Sequence, residues 1–323
     1  MDQLESQTQT FTLAVTDGLE LFVYRWLPAG KPKAVVQIAH GLAEHAGRYA
    51  RLARALTDAG FAVYANDHRG HGRTCTDKDQ LGFFVERNGW RLCLDDLWML
   101  NRHIAAENPG IPIVLLGHSM GSTMAEQFMA EHGDVLAGVV LSGSSGQPTM
   151  LAVAGRLITR IERRRVGPTG HSKLAQALTF GAFNRQFAPA RTAFDWLSRD
   201  SAEVDKYVGD PLCGFPASVQ LWIDLLDGWK TASSSVLRAR IPKTLPIYVI
   251  AGGRDPVSGN TKQLQKMLAA YGAAGLQNVE HRFYPEARHE LFNETNREEV
   301  VRDLIGWADR IILVEQAFRC SVP

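Results

Sequence analysis

Residues 113–121 read Ile-Val-Leu-Leu-Gly-His-Ser-Met-Gly, and a helical pattern follows from Ser122. The apolar run at the start is typical of a strand that is buried on both faces. A Gly-x-Ser-x-Gly sequence between a strand and a helix predicts a nucleophile elbow, a tight turn that places a serine at the carboxyl end of the strand. Glycines on either side of the serine permit close approach of neighbouring backbone. We therefore predict that Ser119 is a nucleophile.

A serine nucleophile requires a base that removes its proton, and an acid must orient that base. In this strand–turn–helix arrangement the chain order is serine, acid, histidine. Two of the ten histidines, His281 and His289, lie near the end of the chain. His281 falls within the alternating, strand-like run 279–284, where a surface or cross-strand role is expected, whereas His289 lies in the loop that follows. We predict that His289 is the base.

The predicted acid is Asp255. It follows the apolar run 247–251 through the loop Gly252-Gly253-Arg254 and so lies at the carboxyl end of a predicted strand, where the functional groups of α/β sheets gather. Asp224 and Asp227 are the alternatives. They lie in a helical pattern beside tryptophans, which favours Asp255.

A second predicted strand end supplies the site that would bind the oxyanion. Val35–Ala39 runs directly into His40-Gly41-Leu42, and a strand followed by His-Gly is where the first oxyanion donor usually lies. The residue after the nucleophile supplies the other donor. We predict that the backbone N–H groups of Leu42 and Met120 form the oxyanion hole.

The same region also contains potential metal ligands: His40, Glu44, His45, Asp67, His68 and His71. Their spacing does not match a helical His-Glu-x-x-His pair or another known ligand pattern, so we predict no metal. Neither of the glycine-rich sequences that bind nucleotide phosphates, Gly-x-x-x-x-Gly-Lys-Ser/Thr and Gly-x-Gly-x-x-Gly, occurs in the chain. We therefore predict no cofactor.

Composition narrows the class of protein. The 323 residues are 45% hydrophobic and 21% charged, with 35 basic and 34 acidic side chains and a net charge of +1, so nucleic-acid binding is not expected. Four scattered cysteines indicate reduced thiols in the cytosol. The polar start at residues 1–10 does not match a signal peptide, and no run of 18 apolar residues occurs. These features predict a cytoplasmic protein.

Short apolar runs alternate with helical patterns, which predicts a mainly parallel sheet with helices on both faces. The predicted strands are 11–15, 21–26, 34–39, 61–65, 112–116, 138–141 and 246–251, and helices are predicted at 49–59, 90–106 and after a capping box formed by Thr295 and Glu298. Between residues 141 and 246 only amphipathic helical patterns occur. We therefore predict one α/β domain, residues 1–146 and 241–323, interrupted by a helical insertion at 147–240.

Several motifs occur together in a familiar order. They are His40-Gly41-x-x-Glu44-His45-x-x-Arg48-Tyr49, Asp67-His68-Arg69-Gly70-His71-Gly72, Gly117-His118-Ser119-Met120-Gly121, the late Asp255 and His289, and in the insertion Trp196-Leu197-Ser198-Arg199-Asp200 and Asp210-Pro211-Leu212-Cys213. In these motifs the chain resembles the monoacylglycerol lipase and lysophospholipase family, an α/β-hydrolase group also labelled serine aminopeptidase S33. The resemblance implies an α/β-hydrolase fold, the triad Ser119, Asp255 and His289, and a helical lid over an acyl-chain pocket.

The chain departs from the family pattern at one position. The family often reads His-Gly-x-Gly-Glu-His, and Ala43 replaces the second glycine here. If this position requires a positive φ, an alanine costs roughly 1 kcal/mol and shifts the loop.

The insertion bears on the substrate, which the resemblance implies to be a monoacylglycerol- or lysophospholipid-type ester. The candidate substrate contacts are Leu157, Ile158, Ile161 and Trp222. An apolar stripe that only packs on the main domain is the alternative. Arg160, Arg163, Arg164 and Arg165 form a basic cluster that could contact anionic lipid or a phosphate, or that is simply a solvated helix end. Lipid contact would make the protein peripheral at a membrane surface, through transient contact by the insertion.

Two other hydrolases share the fold and the triad. An aminopeptidase of the S33 type needs acidic side chains for the substrate amine, and Asp195, Asp200, Glu203 and Asp205 keep this alternative open. A short-chain carboxylesterase is the other. Dehalogenases and epoxide hydrolases carry aspartate in the elbow, so Ser119 excludes both classes.

Overall fold

The computed structural model of the chain describes residues 8–178 and 180–321. Residues 1–7 and 322–323, at the ends of the predicted α/β domain, and residue 179 of the predicted insertion lie outside the described residues.

One mixed sheet of eight strands organises the molecule, in the order β1-β2-β4-β3-β5-β6-β7-β8. The strands are β1 (Gln9–Ala14), β2 (Glu20–Trp26), β3 (Ala34–Ala39), β4 (Phe61–Asn66), β5 (Ile113–His118), β6 (Gly138–Ser142), β7 (Ile247–Gly252) and β8 (Val279–Tyr284). Strands β3 to β8 run parallel, whereas β1 and β2 form an antiparallel hairpin and β2 pairs antiparallel with β4. The predicted mainly parallel sheet is confirmed.

Helices cover both faces of this sheet, because parallel strands need crossover connections. The helices are α1 (Ala50–Asp58), α2 (Gly89–Glu107), α3 (Met120–His132), α4 (Met150–Val166), α5 (Lys173–Leu178), α6 (Phe180–Phe183), α7 (Ser201–Gly209), α8 (Val219–Ala232), α9 (Ser235–Arg240), α10 (Lys262–Ala273) and α11 (Arg297–Ser321). Residues of α2, α3 and α10 form the hydrophobic core on one face, and residues of α1 and α11 form the core on the other. Alternate residues of β5 enter the two cores, as expected for a strand buried on both sides.

The start of α11 differs from the predicted capping box. The helix begins at Arg297, and the side-chain amide of Asn296 donates to Glu299 at 3.0 Å. The backbone N–H of Thr295 instead donates to the carboxylate of Glu294 at 2.9 Å. The cap therefore lies one residue later than predicted. The buried carboxylate of Glu294 accepts the N–H of Thr295, which the side chain of Glu298 would accept in the predicted capping box.

The chain between β6 and β7 is helical, and its described residues contain no strand. Helix α8 packs on α2 and α3, so closely that a Cβ atom added at Gly228 would lie 2.1 Å from the Trp90 ring. Leu221 and Leu237 belong to the same hydrophobic core as the sheet. The predicted insertion, residues 147–240, is thus a continuous segment of the chain. Its helices α8 and α9 nevertheless pack into the same hydrophobic core as the sheet. Among the described residues, no helix combines the length and apolar character that a membrane crossing needs.

Candidate active site

Ser119 occupies the turn between β5 and α3 in a strained backbone conformation, with φ 54° and ψ −115°. Its N–H donates to the carbonyl of Ser142 at 2.9 Å, which ties the turn to the neighbouring strand. A Cβ atom added at Gly117 would lie 2.3 Å from the carbonyl oxygen of Gly121, and one added at Gly121 would lie 2.1 Å from that of Ala39. Both glycines are therefore required by close backbone contacts, and the turn has the geometry of an elbow.

Gly121→Ala is expected to lower the free energy of unfolding by at least about 3 kcal/mol, because the new methyl group meets backbone that cannot rotate away. Gly306→Ala is the matched control, since a Cβ atom at this exposed position inside α11 meets no atom within 4 Å. The control is expected to raise the free energy of unfolding by about 1 kcal/mol through helix propensity. Urea denaturation measures the free energy of unfolding of both variants. Equal midpoints for Gly121→Ala and the unchanged protein would contradict the packing argument.

His289 and Asp255 form a buried pair. Nδ1 of His289 donates to Oδ2 of Asp255 at 2.9 Å, and both residues are at most 2% exposed. Burial alone would lower the pKa of His289, but the adjacent carboxylate and its hydrogen bond outweigh burial and raise this pKa. The imidazole of His118 is also buried, and its ring centre lies 4.8 Å from that of His289. Burial and the neighbouring His289 lower the pKa of His118 to about 4. His289 is therefore the more basic imidazole of the two.

The residues that competed for these roles lie elsewhere. His281 is exposed on β8. Asp224 is buried in α8 beside Gly89 of α2, and Asp227 pairs with Arg156 of α4. Neither aspartate contacts His289 through a hydrogen bond within the described chain, whereas Asp255 does.

A cavity of about 320 Å³ opens between the carboxyl ends of the strands and the helices α4 and α8. This volume lies in the range of small-molecule sites. Its lining includes six residues predicted for the site: Leu42, Ser119, Met120, Ile158, Trp222 and His289. The structure therefore brings the predicted nucleophile, base and oxyanion-hole residues to one cavity, with Asp255 buried behind His289.

Two of the predicted substrate contacts need correction. Leu157 and Ile161 are 64% and 56% exposed and point to solvent, not into the cavity. Helix α4 presents Gly155, Ile158 and Thr159 to the cavity, and successive residues of a helix turn by about 100°. Leu157 and Ile161, one turn apart, therefore share the opposite side of α4.

Comparison with known proteins identifies the family. A family model described as "Serine aminopeptidase, S33" matches residues 30–296. The chain belongs to this family. The human monoglyceride lipase is 31% identical over 301 residues, which cover 88% of each chain, and the monoacylglycerol lipase of Mycolicibacterium smegmatis is 28% identical over 94% of this chain and 98% of that one. The crystal structure of a thermostable carboxyl esterase from Bacillus coagulans has a TM-score of 0.87 at 26% identity and covers 94% of this chain and 99% of that one.

These comparisons confirm the resemblance to monoacylglycerol lipases and the α/β-hydrolase fold that were predicted from the motifs. The protein is a serine ester hydrolase.

Ala43, where the chain departs from the family pattern, adopts a backbone conformation that is unfavourable for an L-amino acid. It has a φ of 57° and is fully buried, so an L-residue occupies a conformation that favours glycine. Its carbonyl oxygen accepts hydrogen bonds from the hydroxyl of Tyr207 at 2.8 Å and from the N–H of Gly214 at 2.9 Å. These two bonds from the insertion hold the strained loop beside Leu42.

The sequence did not reveal a buried charge cluster next to the predicted base. Arg48 donates to both carboxylate oxygens of Glu290, at 2.6 and 2.7 Å, and to Glu44 at 2.7 Å. Glu44 in turn accepts the N–H of Gly41 at 2.6 Å. Burial would raise the pKa of Glu290, but Arg48 lowers it to about 2. The available signals were the position of Glu290 directly after His289 and the occurrence of Glu44 and Arg48 four residues apart in one motif.

Both ring nitrogens of His40, one of the possible metal ligands of the sequence, have hydrogen-bond partners, whereas those of the buried His68 have none among the described residues. Nδ1 of His40 donates to the carbonyl of Gly41, and its Nε2 accepts the N–H of His68. Burial lowers the pKa of His68 to about 3 and that of His71 to about 4. Within the described residues, only one of the six possible metal ligands, His45, belongs to a group of three whose ligand atoms lie within 4.8 Å of one another. The other two members of this group are Asp210 and Cys213.

The charged clusters of the insertion are mostly neutralised locally. The acidic set is bonded as follows: Asp195 to Thr192, Asp200 to Arg297, Glu203 to Arg51 and Asp205 to Arg191. In the basic set, Arg160 contacts Asp227, Arg163 contacts Gln220, and Arg165 contacts Glu162. Arg164 is exposed. None of the four acidic side chains lines the described cavity, so they do not offer a binding site for a substrate amine there.

Proposed function

We propose that this protein hydrolyses carboxylic esters of the monoacylglycerol or lysophospholipid type through an acyl-enzyme. Ser119 is the nucleophile, His289 the base, Asp255 the acid, and the N–H groups of Leu42 and Met120 the oxyanion hole. The observation that carries the proposal is the buried His289–Asp255 pair opening onto the same cavity as the strained Ser119.

The reaction runs in two halves. His289 accepts the hydroxyl proton of Ser119 while the serine oxygen attacks the ester carbonyl, and the carbonyl oxygen becomes an oxyanion. His289 then gives this proton to the leaving alcohol, and water attacks the acyl-enzyme with the same base to release the fatty acid. A backbone oxyanion donor typically lowers such a barrier by about 3 kcal/mol. Asp255 stabilises the imidazolium that forms in each half.

The substrate class is supported by the walls of the cavity. Apolar side chains from α4 and α8 line it, namely Ile158, Trp222, Leu225, Leu226 and Trp229, and burying a methylene group is worth about 0.8 kcal/mol. Relatives of similar length are a monoglyceride lipase and a monoacylglycerol lipase. In this proposal residues 147–240 act as a cap that binds the acyl chain.

We also propose a transient contact between the cap and a membrane surface. Leu157 and Ile161 project from the solvent side of α4, and the exposed Arg164 lies on the same helix. Apolar side chains beside basic ones are the pattern of helices that bind at a lipid interface.

One panel of substrates tests the function. We expect kcat/KM to rise at least about tenfold from p-nitrophenyl acetate to the octanoate, because the apolar cavity buries the added methylenes. Monoacylglycerol and lysophosphatidylcholine are expected to be hydrolysed, and aminoacyl-p-nitroanilides are not. A preference for the nitroanilides would overturn the proposal and indicate an aminopeptidase. Highest activity on the acetate would indicate a short-chain carboxylesterase.

The same panel tests the membrane contact when monoacylglycerol is presented in lipid vesicles. The double variant Leu157→Ser/Ile161→Ser is expected to lose several-fold activity on vesicles and none on soluble p-nitrophenyl acetate. Val236→Ser is the control, because Val236 is equally apolar and 76% exposed but lies on α9. If the double variant and the control behave alike on vesicles, the contact does not exist.

A further inference from the structure

Part of the insertion lies directly against the loop that carries His289. The N–H of His289 donates to the carbonyl of Trp196 at 3.4 Å, and the N–H of Glu290 donates to that of Leu197 at 2.7 Å. The Trp196 ring lies 5.0 Å from the imidazole of His289, between centres. The insertion therefore contacts the backbone and the ring of the predicted base.

A buried carboxylate joins these two segments. Glu294 is fully buried, and its oxygens accept the N–H of Arg288 at 2.8 Å, the N–H and Nε–H of Arg199 at 3.1 and 2.8 Å, and the N–H of Thr295 at 2.9 Å. A buried charge is costly unless it is paired and bonded. Since Arg288 directly precedes His289, Glu294 connects the residue before the base to Arg199 of the insertion.

Further bonds surround the same junction. Nη1 of Arg288 donates to the carbonyl oxygens of Asp195, at 2.5 Å, and Ser198, at 3.1 Å. The hydroxyl of Ser198 donates to the carbonyl of Asn293 at 2.8 Å. The loop is therefore tied to the insertion on both sides of His289.

We propose that residues 195–199 together with Glu294, here called the brace, position His289 for proton transfer. The inference rests on the proposed role of His289 as base. This base must meet Asp255 on one side and Ser119 on the other, and a displacement of about 1 Å can cost about a hundredfold in rate. The brace thus gives the insertion two separable tasks. Helices α4 and α8 line the cavity, and residues 195–199 act on the reaction through the histidine.

Arg199→Ala tests the brace, because it removes a side chain that is itself 31% exposed from its ion pair with the buried Glu294. We expect kcat to fall about ten- to a hundredfold with little change in KM. The acid limb of the pH profile is expected to move to lower pH, since His289 loses part of its contact with Asp255. The other ionisable groups that face His289, namely His118, Glu44 and Glu290, are unchanged in this variant.

Arg282→Ala is the matched control. It removes the same charge from a pair between β8 and α11, where Arg282 contacts Glu299 and Asp303 at 2.6 Å each, and its kcat and pH profile are expected to be unchanged. Arg199→Lys keeps the charge but not the Nε–H geometry and provides a second variant should Arg199→Ala fail to fold. In a double-mutant cycle, adding Glu294→Gln to Arg199→Ala is expected to cost less than Glu294→Gln alone.

A comparison with His289→Ala distinguishes a failure of the proposed function from a failure of the proposed role of the brace. If His289→Ala retains full activity, the proposed function is wrong. If His289→Ala is inactive while both Arg199 variants match Arg282→Ala in kcat and in the acid limb, the function stands and the brace is wrong.

Discussion

Ser119→Ala is expected to lower kcat for ester hydrolysis by roughly 10⁵-fold, the scale of loss when the serine of a triad is removed. The loss follows because no other hydroxyl occupies the elbow, so attack on the carbonyl must come from water. The proposed oxyanion hole and the cavity are unchanged in this variant, so a residual rate above the uncatalysed one is expected. The measurement is steady-state hydrolysis of a p-nitrophenyl ester together with mass spectrometry after treatment with a phosphonate that labels nucleophilic serines.

Ser201→Ala is the control for this variant, because Ser201 is an exposed serine at the start of α7. It is expected to keep full activity and to take up one phosphonate, as the unchanged protein does, whereas Ser119→Ala takes up none. Activity of Ser119→Ala above a tenth of normal, or phosphonate on another serine, would remove Ser119 from the mechanism.

Asp255→Asn is expected to lower kcat about 10⁴-fold, because an amide does not hold the imidazole in the required tautomer or stabilise its positive charge. It should also change the pH profile. Burial lowers the pKa of His289, and the carboxylate of Asp255 is the largest of the effects that raise it. The variant loses this effect, so burial is opposed only by the smaller contributions of Glu290 and Glu44 and the pKa of His289 falls. The base is active when neutral, and its activity is lost as the pH falls through its pKa. The acid limb of kcat/KM is therefore expected to move to lower pH as the plateau drops.

The control for this result is Asp224→Asn. Burial raises the pKa of Asp224 to about 7, so this carboxyl group titrates in the range where the acid limb of a serine hydrolase lies. We expect Asp224→Asn to leave the limb in place. A limb that moves in Asp224→Asn but not in Asp255→Asn would transfer the role of acid to Asp224.

Local patterns predicted most of the architecture because they depend on near neighbours in the chain. Continuous apolar runs indicated the buried strands, three- and four-residue spacing indicated the helices, and their alternation indicated a parallel sheet. The close contacts of Gly117 and Gly121 explain why the elbow could be read from five residues. His289 and Asp255 followed from their place after predicted strands, and the structure joins them by a hydrogen bond.

The rotation of α4 could not be read from its sequence. Leu157, Ile158 and Ile161 form one apolar stripe in the chain, yet only Ile158 lines the cavity. Which side of such a stripe faces inward depends on where α8 lies, and that is decided by the packing of α8 on α2. The cap of α11 moved by one residue for a similar reason, because Glu294 is buried by contacts with Arg199, 95 residues earlier.

The sequence alone determined the order of strands and helices, the elbow at Ser119 and the positions of its predicted partners, since periodicity, glycines and strand ends are local properties. Only the tertiary structure decided which cap residues reach the cavity and how charged groups far apart in the chain pair around His289. A buried charge must find its partner across the fold, and neither Arg48 with Glu290 nor Arg199 with Glu294 is adjacent in sequence. The first pair joins two segments of the sheet domain, and the second joins the insertion to that domain, so both are set by tertiary packing.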